Sequence, residues 1–421
     1  MTPEVKNRIA QIRRGKVPEG YKRTKKRLQP DDWFEINLED AVSFLDGRRI
    51  PIKENERVHG EYPYYGASGI IDYVNDYIFD GEYILLGEDG ANIIERSSPL
   101  AFRVSGKCWI NNHAHVLEPK KNQDINFLTY YLENLKYDKL NSGTAQPKLN
   151  QETCRKIKII CPSKMEQQKL ASILSTQDKI IDLKERLLEE KKQQKKYLMQ
   201  QLLTGKKRLP GFSEEWENFG FNDVFCTLPT NTLSREDMCK SGGIIRNIHY
   251  GDVLIHYGEV LNINEEDVPY IIEGKEPAHY MQVENGDVII ADTAEDMTVG
   301  KTTEIQNIKT DKVVSGLHTI CCRPIKKYFC EGWLGYYMNS EEYHGQIKRL
   351  ACGSKVFSIS KTEIKKTRLR IPCINEQKEI IDILSTKNRE IALSEQSIKA
   401  EKQKKKALMQ LLLTGIVRVK I

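Results

Sequence analysis

Residue types that support catalysis or metal binding occur throughout this 421-residue chain, but their spacing matches no complete catalytic motif. His318, Cys321, Cys322 and Cys330 come nearest to a zinc site. They lack the paired Cys-x-x-Cys spacing that structural zinc sites use. The segment from 316 to 322 is equally well explained as a buried strand, so we expect no bound metal here.

Nucleotide and nuclease motifs are also incomplete. Gly300-Lys301-Thr302 resembles the end of a phosphate-binding loop, but the first glycine is replaced by Glu295, whose carboxylate would repel a phosphate. The chain has no GxGxxG and no Pro-Pro dipeptide, so the Asn/Asp-Pro-Pro-aromatic motif of amino-methyltransferases is absent. A nuclease built on Glu273 and Lys275 stays open as a rival, although no partner carboxylate precedes them. We expect a chain without catalytic residues that binds no cofactor.

The remaining polar clusters favour recognition of nucleic acid. Residues 62–69 form an aromatic, glycine-rich loop that can approach a sugar–phosphate backbone, and Asn111, Asn112, His113 and His115 have side chains suited to base edges. Residues 142–148 and 352–358 combine small residues with a lysine before each of two repeated helices. The competing interpretation is structural: core tyrosines, internally bonded histidines and ordinary turns. The candidate DNA contacts are Tyr64, Tyr65, Ser68, Asn111, Asn112, His113, Thr144, Lys148, Arg246, Asn247, Lys301, Ser354 and Lys355.

Positive charge is concentrated at the start of the chain. The formal charge of the whole chain is +6, whereas residues 1–28 contain ten Lys or Arg against two Glu, a net of +8. Such a segment favours a polyanion, because each neutralised phosphate releases condensed counterions. A solvated tail is the alternative. We hypothesise that the segment either follows phosphates or docks on the far end of the molecule.

Membrane insertion and secretion are not indicated. No stretch approaches the roughly 18 apolar residues of a membrane helix, and the N-terminus has no apolar signal core. The ten cysteines are scattered, which suits a reducing compartment better than a disulfide scaffold. We therefore expect a cytoplasmic protein.

An internal repeat dominates the architecture. Residues 162–205 align with 372–415 without gaps, and 21 of the 44 positions are identical. Each copy predicts one long helix, with a proline just before it and a glycine at its end. A seven-residue apolar spacing keeps one stripe against a partner helix, as in a coiled coil. The stripe residues are Leu174, Ile181, Leu188 and Leu202 in the first copy and Leu384, Ile391, Ile398 and Leu412 in the second.

The repeat extends to the segments between the helices. Trp33 and Trp216 follow similar basic stretches, so the unit is a globular domain plus a helix, present twice. Short alternating segments and glycine turns predict β-rich domains, including strands at 252–255 and 287–291, each domain closed by a helix, at 126–140 and 328–350. The fold class is therefore mixed α/β (α+β), with two β-rich domains and two long helices paired as an antiparallel coiled coil. The predicted boundaries are a basic segment 1–28, domain 1 at 29–161, helix 162–205, domain 2 at 206–371, helix 372–415 and a tail 416–421.

The repeated elements resemble a known family. Pro162-x-x-x-Glu166-Gln167 returns as Pro372-x-x-x-Glu376-Gln377, and both helices end in Leu-Leu-Thr-Gly. The Tyr-Gly-Ala-Ser-Gly turn at 65–69 is typical of one class of target-recognition domain. Together these features resemble the specificity subunit of type I restriction–modification systems over nearly the whole chain.

This resemblance implies a division of labour. Each target-recognition domain would bind one half of a bipartite double-stranded DNA site, and the paired helices would fix the spacing and dock two copies of a DNA adenine methyltransferase subunit. S-adenosylmethionine would act in those subunits, and ATP and Mg²⁺ in partner subunits that include a separate motor and nuclease. Because residues 33–144 and 216–354 are dissimilar, the two half-sites should differ. The rival of another class is a coiled-coil adaptor with two protein-binding domains.

Overall fold

The computed structural model describes residues 3–24, 28–143 and 146–419, with only the backbone of Lys326. Thr144 and the basic residues 25–27 lie outside the described residues. The chain divides into two compact units, one formed by residues 1–186 and 396–421 and the other by residues 187–395. Among the helices that are described, none is both long and apolar enough to cross a bilayer.

The first unit contains domain 1, built on a six-stranded sheet in the order β4-β9-β7-β8-β5-β6. Neighbouring strands are antiparallel except β5 and β8. Its elements are α1 (Pro3–Arg13), β1 (Tyr21–Arg23), β2 (Leu28–Pro30), β3 (Phe34–Asn37), α2 (Leu38–Ala41), β4 (Val42–Phe44), β5 (His59–Gly66), β6 (Gly69–Val74), β7 (Phe79–Gly87), α3 (Asn92–Glu95), β8 (Ala101–Ile110), β9 (Ala114–Pro119), α4 (Ile125–Asn134), α5 (Gln151–Arg155), β10 (Lys158–Cys161) and the first part of α6 (Lys164–Leu202).

Strand β7 shows how the sheet divides the apolar side chains of domain 1. Ile84 and Leu86 face the core that includes α4 and the start of α6, whereas Tyr83 and Leu85 face a second apolar cluster. Side chains alternate between the two faces of a strand, so covering both faces buries the run completely. This buried strand fixes the position of the polar residues that follow it.

The second unit contains domain 2, with a five-stranded sheet (β12-β21-β17-β19-β15) and a four-stranded sheet (β13-β16-β14-β20). Its elements are β11 (Glu217–Gly220), α7 (Phe221–Val224), β12 (Phe225–Leu228), β13 (Met238–Cys239), β14 (Ile245–Ile248), α8 (Tyr250–Ile255), β15 (Val260–Asn262), β16 (Tyr270–Ile271), β17 (Val288–Ala291), β18 (Thr293–Ala294), β19 (Thr302–Gln306), β20 (Lys312–Ser315), β21 (Thr319–Pro324), α9 (Trp333–Met338), α10 (Glu341–Leu350), β22 (Phe357–Ser358), α11 (Lys361–Ile364), β23 (Arg368–Ile371) and the first part of α12 (Ile374–Leu412).

The two domains share a structural frame that their sequences conceal. In domain 1, β4 pairs with β9 so that Val42 opposes Pro119, and in domain 2 β12 pairs with β21 so that Phe225 opposes Pro324. The next strand inwards is β7 in one domain and β17 in the other, again with matching register. The mixed α/β class and the duplicated architecture predicted from the sequence are therefore confirmed.

Four predicted elements differ from the structure. Residues 62–69 are not a loop, because 62–66 belong to β5 and pair with β6 across a turn at 67–68. The segment 252–255 is the helix α8 rather than a strand, because the His249 side chain accepts a hydrogen bond from Gly251 and begins a helical turn. The closing helix of domain 1 ends at Asn134 instead of residue 140. The closing helix of domain 2 is two helices, since Asn339 bonds back to Thr302 and Ser340 caps α10.

The long helices pair within each unit as the heptad spacing predicted. In the first unit Lys184 contacts Glu401 at 2.9 Å and Asp178 contacts Lys405 at 2.5 Å, so α6 and α12 run antiparallel. In the second unit Lys192 lies 2.8 Å from Glu395. Of the eight stripe residues, the buried ones are Leu174, Ile181, Leu202, Leu384, Ile398 and Leu412, while Leu188 and Ile391 are half-buried.

The helix ends follow the predicted signals. Helices α6 and α12 begin two residues after their prolines and end three residues before Gly205 and Gly415. Both glycines have positive φ, 68° and 72°, which is the left-handed conformation that closes helices and disfavours other residues.

A buried glutamate at the start of each long helix holds each unit together. Both oxygens of Glu166 accept hydrogen bonds from Arg418 at 2.6 and 2.7 Å, and Trp33 Nε1 donates to the same carboxylate at 3.2 Å. In the second unit the carboxylate of Glu376 accepts the same three hydrogen bonds, from Arg208 and Trp216, at the same distances. We call each set an Arg–Glu–Trp clamp.

The N-terminal segment packs on the C-terminal end of α12 within the first unit. The Tyr21 hydroxyl donates to the Gly415 carbonyl at 2.7 Å, and Arg8 lies over the Tyr21 ring and donates to the Ile416 carbonyl at 3.4 Å. Burial raises the pKa of Tyr21. The docking alternative for this segment is thus seen in the structure, and the basic side chains of Lys6, Arg13 and Arg14 remain exposed.

Replacing Arg418 by Ala should destabilise the first unit by about 3 kcal/mol, because it leaves the buried carboxylate of Glu166 without its cation. Hydrogen–deuterium exchange on the full chain should then accelerate around residues 28–37 and 164–170. The matched variant Arg208→Ala should accelerate exchange around 214–220 and 374–380 instead. Equal effects of both variants in both units would contradict separate clamps.

Candidate nucleic-acid interface

Several predicted contact residues of domain 1 meet where the sheet strands end. Asn111 N donates to the Tyr65 carbonyl at 3.1 Å, which joins the end of β5 to the turn before β9. Glu88 N, just after β7, donates to the His113 carbonyl at 2.8 Å. Leu149 N donates to the Glu88 carbonyl at 2.7 Å and brings in the loop that precedes α5. The residues that this arrangement leaves accessible are Ser68, Asn112, His113 and Lys148, which we call the strand-end surface of domain 1.

Other predicted contacts in domain 1 are structural. The Tyr64 ring is buried, and its hydroxyl accepts a hydrogen bond from Ile52 N at 3.0 Å. Asn111 is buried and holds the turn by accepting from His113 N at 2.8 Å. Tyr65 is half-buried, and burial raises its pKa. In this conformation the side chains of Tyr64 and Asn111 do not reach the surface, so their roles here are structural, and their contact with DNA stays a prediction.

His115 belongs to a buried ion-pair network that the sequence pattern did not indicate. Its Nδ1 lies 2.7 Å from Asp46 Oδ2, and its Nε2 lies 2.8 Å from the Leu149 carbonyl. Two acceptors require both nitrogens to carry protons, so this ring is an imidazolium. Burial opposes that charge, but the hydrogen bond to Asp46 helps raise the pKa of His115 to about 10. The His115 bridge ties the loop of residues 146–149 to the sheet.

The same network resembles a metal site in the spacing of its ligand atoms but not in the protonation of its histidine. Ligand atoms of Asp46, Glu88 and His115 all lie within 4.8 Å of one another. Both His115 nitrogens are occupied, and Arg49 supplies the cation by contacting Glu88 at 2.8 Å. A metal needs an unprotonated imidazole nitrogen. The arrangement therefore supports the loop and does not fit a metal ion.

In domain 2 the predicted contacts Arg246, Asn247 and Lys301 are engaged inside the domain. Arg246 donates to Asp311 and to the Ile263 carbonyl, and Asn247 is fully buried. Lys301 donates to the Leu254 carbonyl at 2.9 Å, and burial lowers its pKa. In this conformation Arg246 and Lys301 are half-buried and bonded to internal acceptors, and the Asn247 oxygen accepts from Asn231, so direct contact of these three residues with DNA stays a prediction. The Lys301 ammonium group is therefore bonded to a carbonyl of the protein in this conformation and is not available to a phosphate.

The loop that includes Ser354 and Lys355 is exposed beside the end of β17 in domain 2. Ile359 N, at the end of this loop, donates to the Asp292 carbonyl at 2.8 Å, and β22 pairs with β18. The loop thus has the place in domain 2 that residues 142–149 have in domain 1. Ser354 and Lys355 remain predicted contacts.

The cysteine candidates are explained by local packing, and the lysine of the nuclease candidate forms an ion pair. Cys321 and Cys322 lie on opposite faces of β21 in two different apolar clusters, and burial raises the pKa of Cys321 to about 12. Among the described residues, His318 and these cysteines form no group of ligand atoms suited to a metal ion. Lys275 contacts Asp237 at 2.5 Å, and Glu273 is exposed on the same turn.

Replacing His115 by Leu should destabilise the first unit by about 3 kcal/mol at pH 6, because the buried Asp46 carboxylate loses the nearer of its two cations, His115 at 2.7 Å against Arg49 at 3.7 Å. The folded pKa of His115 is raised above the unfolded value of about 6.5. Its stabilisation is therefore complete below pH 6.5 and disappears as the pH rises through about 10. Unfolding of the full chain should show a difference between wild type and variant that shrinks from pH 6 to pH 10. The exposed-site variant His59→Leu is the control, and an unchanged difference would contradict the imidazolium.

Comparison with known proteins agrees with this duplicated architecture. The family model described as the type I restriction modification DNA specificity domain matches residues 30–193 and 213–402. The type I restriction enzyme MjaVIII specificity subunit of Methanocaldococcus jannaschii is 25% identical over 418 residues, covering 93% of this chain and 94% of that protein. A putative type I restriction enzyme specificity subunit of Haemophilus influenzae is 36% identical over 137 residues, which are 32% of this chain and 35% of that protein.

Solved structures show the same fold. The type I restriction–modification S subunit of M. genitalium superposes with a TM-score of 0.53 at 12% identity, covering 92% of this chain and 97% of that chain. A chain from a study of complex assembly and conformational transition of the type I R–M system gives 0.57 at 15% identity, covering 92% and 99%. With two copies of the specificity domain, the chain therefore belongs to the specificity-subunit family of type I restriction–modification systems.

Proposed function

We propose that this chain confers DNA sequence specificity on a type I restriction–modification complex, with each domain binding one half of an asymmetric bipartite site. The observation that supports the proposal is that the two domains share the arrangement of their central strands but differ in the side chains beyond the ends of those strands. The two domains match in strand order and register at β4-β9-β7 and β12-β21-β17, yet they differ in the side chains beyond the strand ends. Phosphate contacts position a protein on DNA, whereas side chains at base edges specify the sequence. Domains with different side chains beyond the strand ends therefore specify different half-sites.

The long helices are proposed to set the half-site spacing and to dock two methyltransferase subunits. Each helix has 39 residues, which is about 58 Å at 1.5 Å per residue. Large apolar side chains stay exposed on them: Leu183 is 64% exposed in the first unit, and Leu393 is 65% exposed in the second. These side chains are available to a protein partner of the helices.

We propose that the catalytic steps take place in the partner subunits. The methyltransferase subunits would use S-adenosylmethionine to methylate adenine, which requires the base to leave the stack. A motor and nuclease subunit would use ATP and Mg²⁺. Of the nuclease candidates in this chain, Lys275 is paired with Asp237 and Glu273 is exposed, and Cys321 and Cys322 are packed in apolar clusters.

Deleting the gene for this chain should abolish one bipartite, asymmetric adenine-methylation motif in the host genome, as measured by single-molecule sequencing. Restoring the gene should restore the same motif. A palindromic motif would contradict two different half-sites. An unchanged methylome in a host that expresses an intact methyltransferase subunit would favour the coiled-coil adaptor instead.

Replacing Lys6, Arg13 and Arg14 by Gln together should weaken DNA binding by the assembled complex equally for all sequences. It should also make the slope of log K against log salt less steep by about 1 for each phosphate that the variant no longer neutralises. Arg8, which contacts the C-terminal segment, is left intact so that docking is preserved. The control replaces the exposed Lys121, Lys136 and Lys139 of domain 1. The same slope in the wild type and the α1 variant would reject the phosphate role.

A further inference from the structure

A histidine occupies the same position in both domains, although the surrounding sequences do not align. Ala114 opposes the last residue of β7, and Thr319 opposes the last residue of β17. His113 and His318 each stand one residue before these, in the turn at the strand ends. Their backbones are bonded alike: the residue after the central strand donates to the histidine carbonyl at 2.8 Å in domain 1 and 3.0 Å in domain 2.

Each of these rings is half-exposed and is held by a neighbouring acidic group. His113 Nδ1 lies 2.9 Å from both carboxylate oxygens of Asp89. His318 Nδ1 lies 3.4 Å from Asp292 Oδ1 and 3.4 Å from Thr293 Oγ1. The side-chain exposures nearly match, 51% for His113 and 47% for His318. Two domains with different sequences thus each present a half-exposed histidine beside an acidic side chain at the strand ends, although the carboxylate comes from the first residue after the strand in domain 2 and from the second in domain 1.

The groups bonded to Nδ1 determine which ring nitrogen is available to a ligand. The Asp89 carboxylate accepts a hydrogen bond from Nδ1–H of His113, and Thr293 Oγ1 pairs with Nδ1 of His318, with Asp292 close by. A neutral ring that carries its proton on Nδ1 has its lone pair on Nε2. Within the described structure, the hydrogen bonds of both rings involve Nδ1. Nε2 is therefore the atom that each ring offers to a partner, and it is a hydrogen-bond acceptor.

The charge around the rings selects the kind of group that fits. Asp89 is itself 24% exposed beside His113, and Asp292 is 26% exposed beside His318. Glu295 and Asp296 are exposed a few residues beyond β17. A phosphate next to Nε2 would be repelled by these carboxylates, since the nearby Lys148 is paired with Glu88 at 3.4 Å. The exocyclic amines of adenine and cytosine in the major groove are donors that suit acceptors.

We propose that His113 and His318 are specificity-determining residues, each accepting through Nε2 a hydrogen bond from a base amine in the half-site bound by its domain. The inference rests on the proposed function, that the two domains bind DNA. Asp89 and Asp292 are positioning residues, since they hold the rings rather than supply the contact. The neighbouring side chains differ, Asn112 and Lys148 in one domain and Tyr250 near His318 in the other, so a shared contact is placed in two different contexts.

The test uses the full chain assembled with its methyltransferase subunits and measures methylation over a library of randomised sites. His113→Ala should reduce discrimination about tenfold at one or two positions of one half-site. His318→Ala should do so in the other half-site only. His256→Ala is the matched control, because this ring is also exposed, at 65%, and lies 3.9 Å from Asp252, but at the end of α8 rather than at the strand ends.

Thermal unfolding and the salt dependence of DNA binding separate the remaining outcomes. The variants should unfold like the wild type and keep its salt slope. Uniform weakening with a less steep salt slope would show phosphate contacts and overturn the inference, and so would unchanged discrimination in either variant. If the wild-type complex itself methylates no bipartite motif, the proposed function fails first, and this result is distinguishable from the failure of the two histidines alone.

Discussion

The buried carboxylates of Glu166 and Glu376 are the interaction on which the rest of the structure depends. Each stands at the start of a long helix and accepts three hydrogen bonds, from a tryptophan at the start of a domain and from an arginine three residues after a helix-ending glycine. A buried charge is costly unless it is fully paired. Domain, helix start and helix end must therefore come together at one place in each unit, and the repeat in the sequence becomes a repeat in space.

This frame leaves the strand ends free to vary. The apolar residues of the central strands β7 and β17 are buried, and the registers with β9 and β21 match. Beyond those strands some residues, such as Ile93 and Val299, still pack in the core, but the exposed side chains do not, so their identities can differ between domains without loss of the fold. A recognition protein gains from this separation, because one scaffold can support two specificities.

The two domains secure the turn before β9 and β21 by different chemistry. His115 of domain 1 bridges Asp46 and the Leu149 carbonyl, whereas the corresponding residue of domain 2 is Ile320, packed in an apolar cluster. The ion pair gives directional hydrogen bonds and a dependence on protonation, and the isoleucine gives packing alone. The frame is thus kept by geometry rather than by particular residues, which explains why the two domains do not align by sequence.

The sequence by itself determined the duplication, the two long helices with their proline and glycine ends, and the resemblance to type I specificity subunits, because helical periodicity and end signals are local. It also named Ser68, His113, Lys148 and Ser354 as candidate DNA contacts, and the structure leaves these four side chains exposed. Only the tertiary structure decided that Tyr64, Asn111 and Asn247 are buried, that 252–255 is helical, and that His318 matches His113. These outcomes depend on strand register and on partners far along the chain, such as Asp46 for His115. Long-range pairing of that kind leaves no periodic pattern in the sequence.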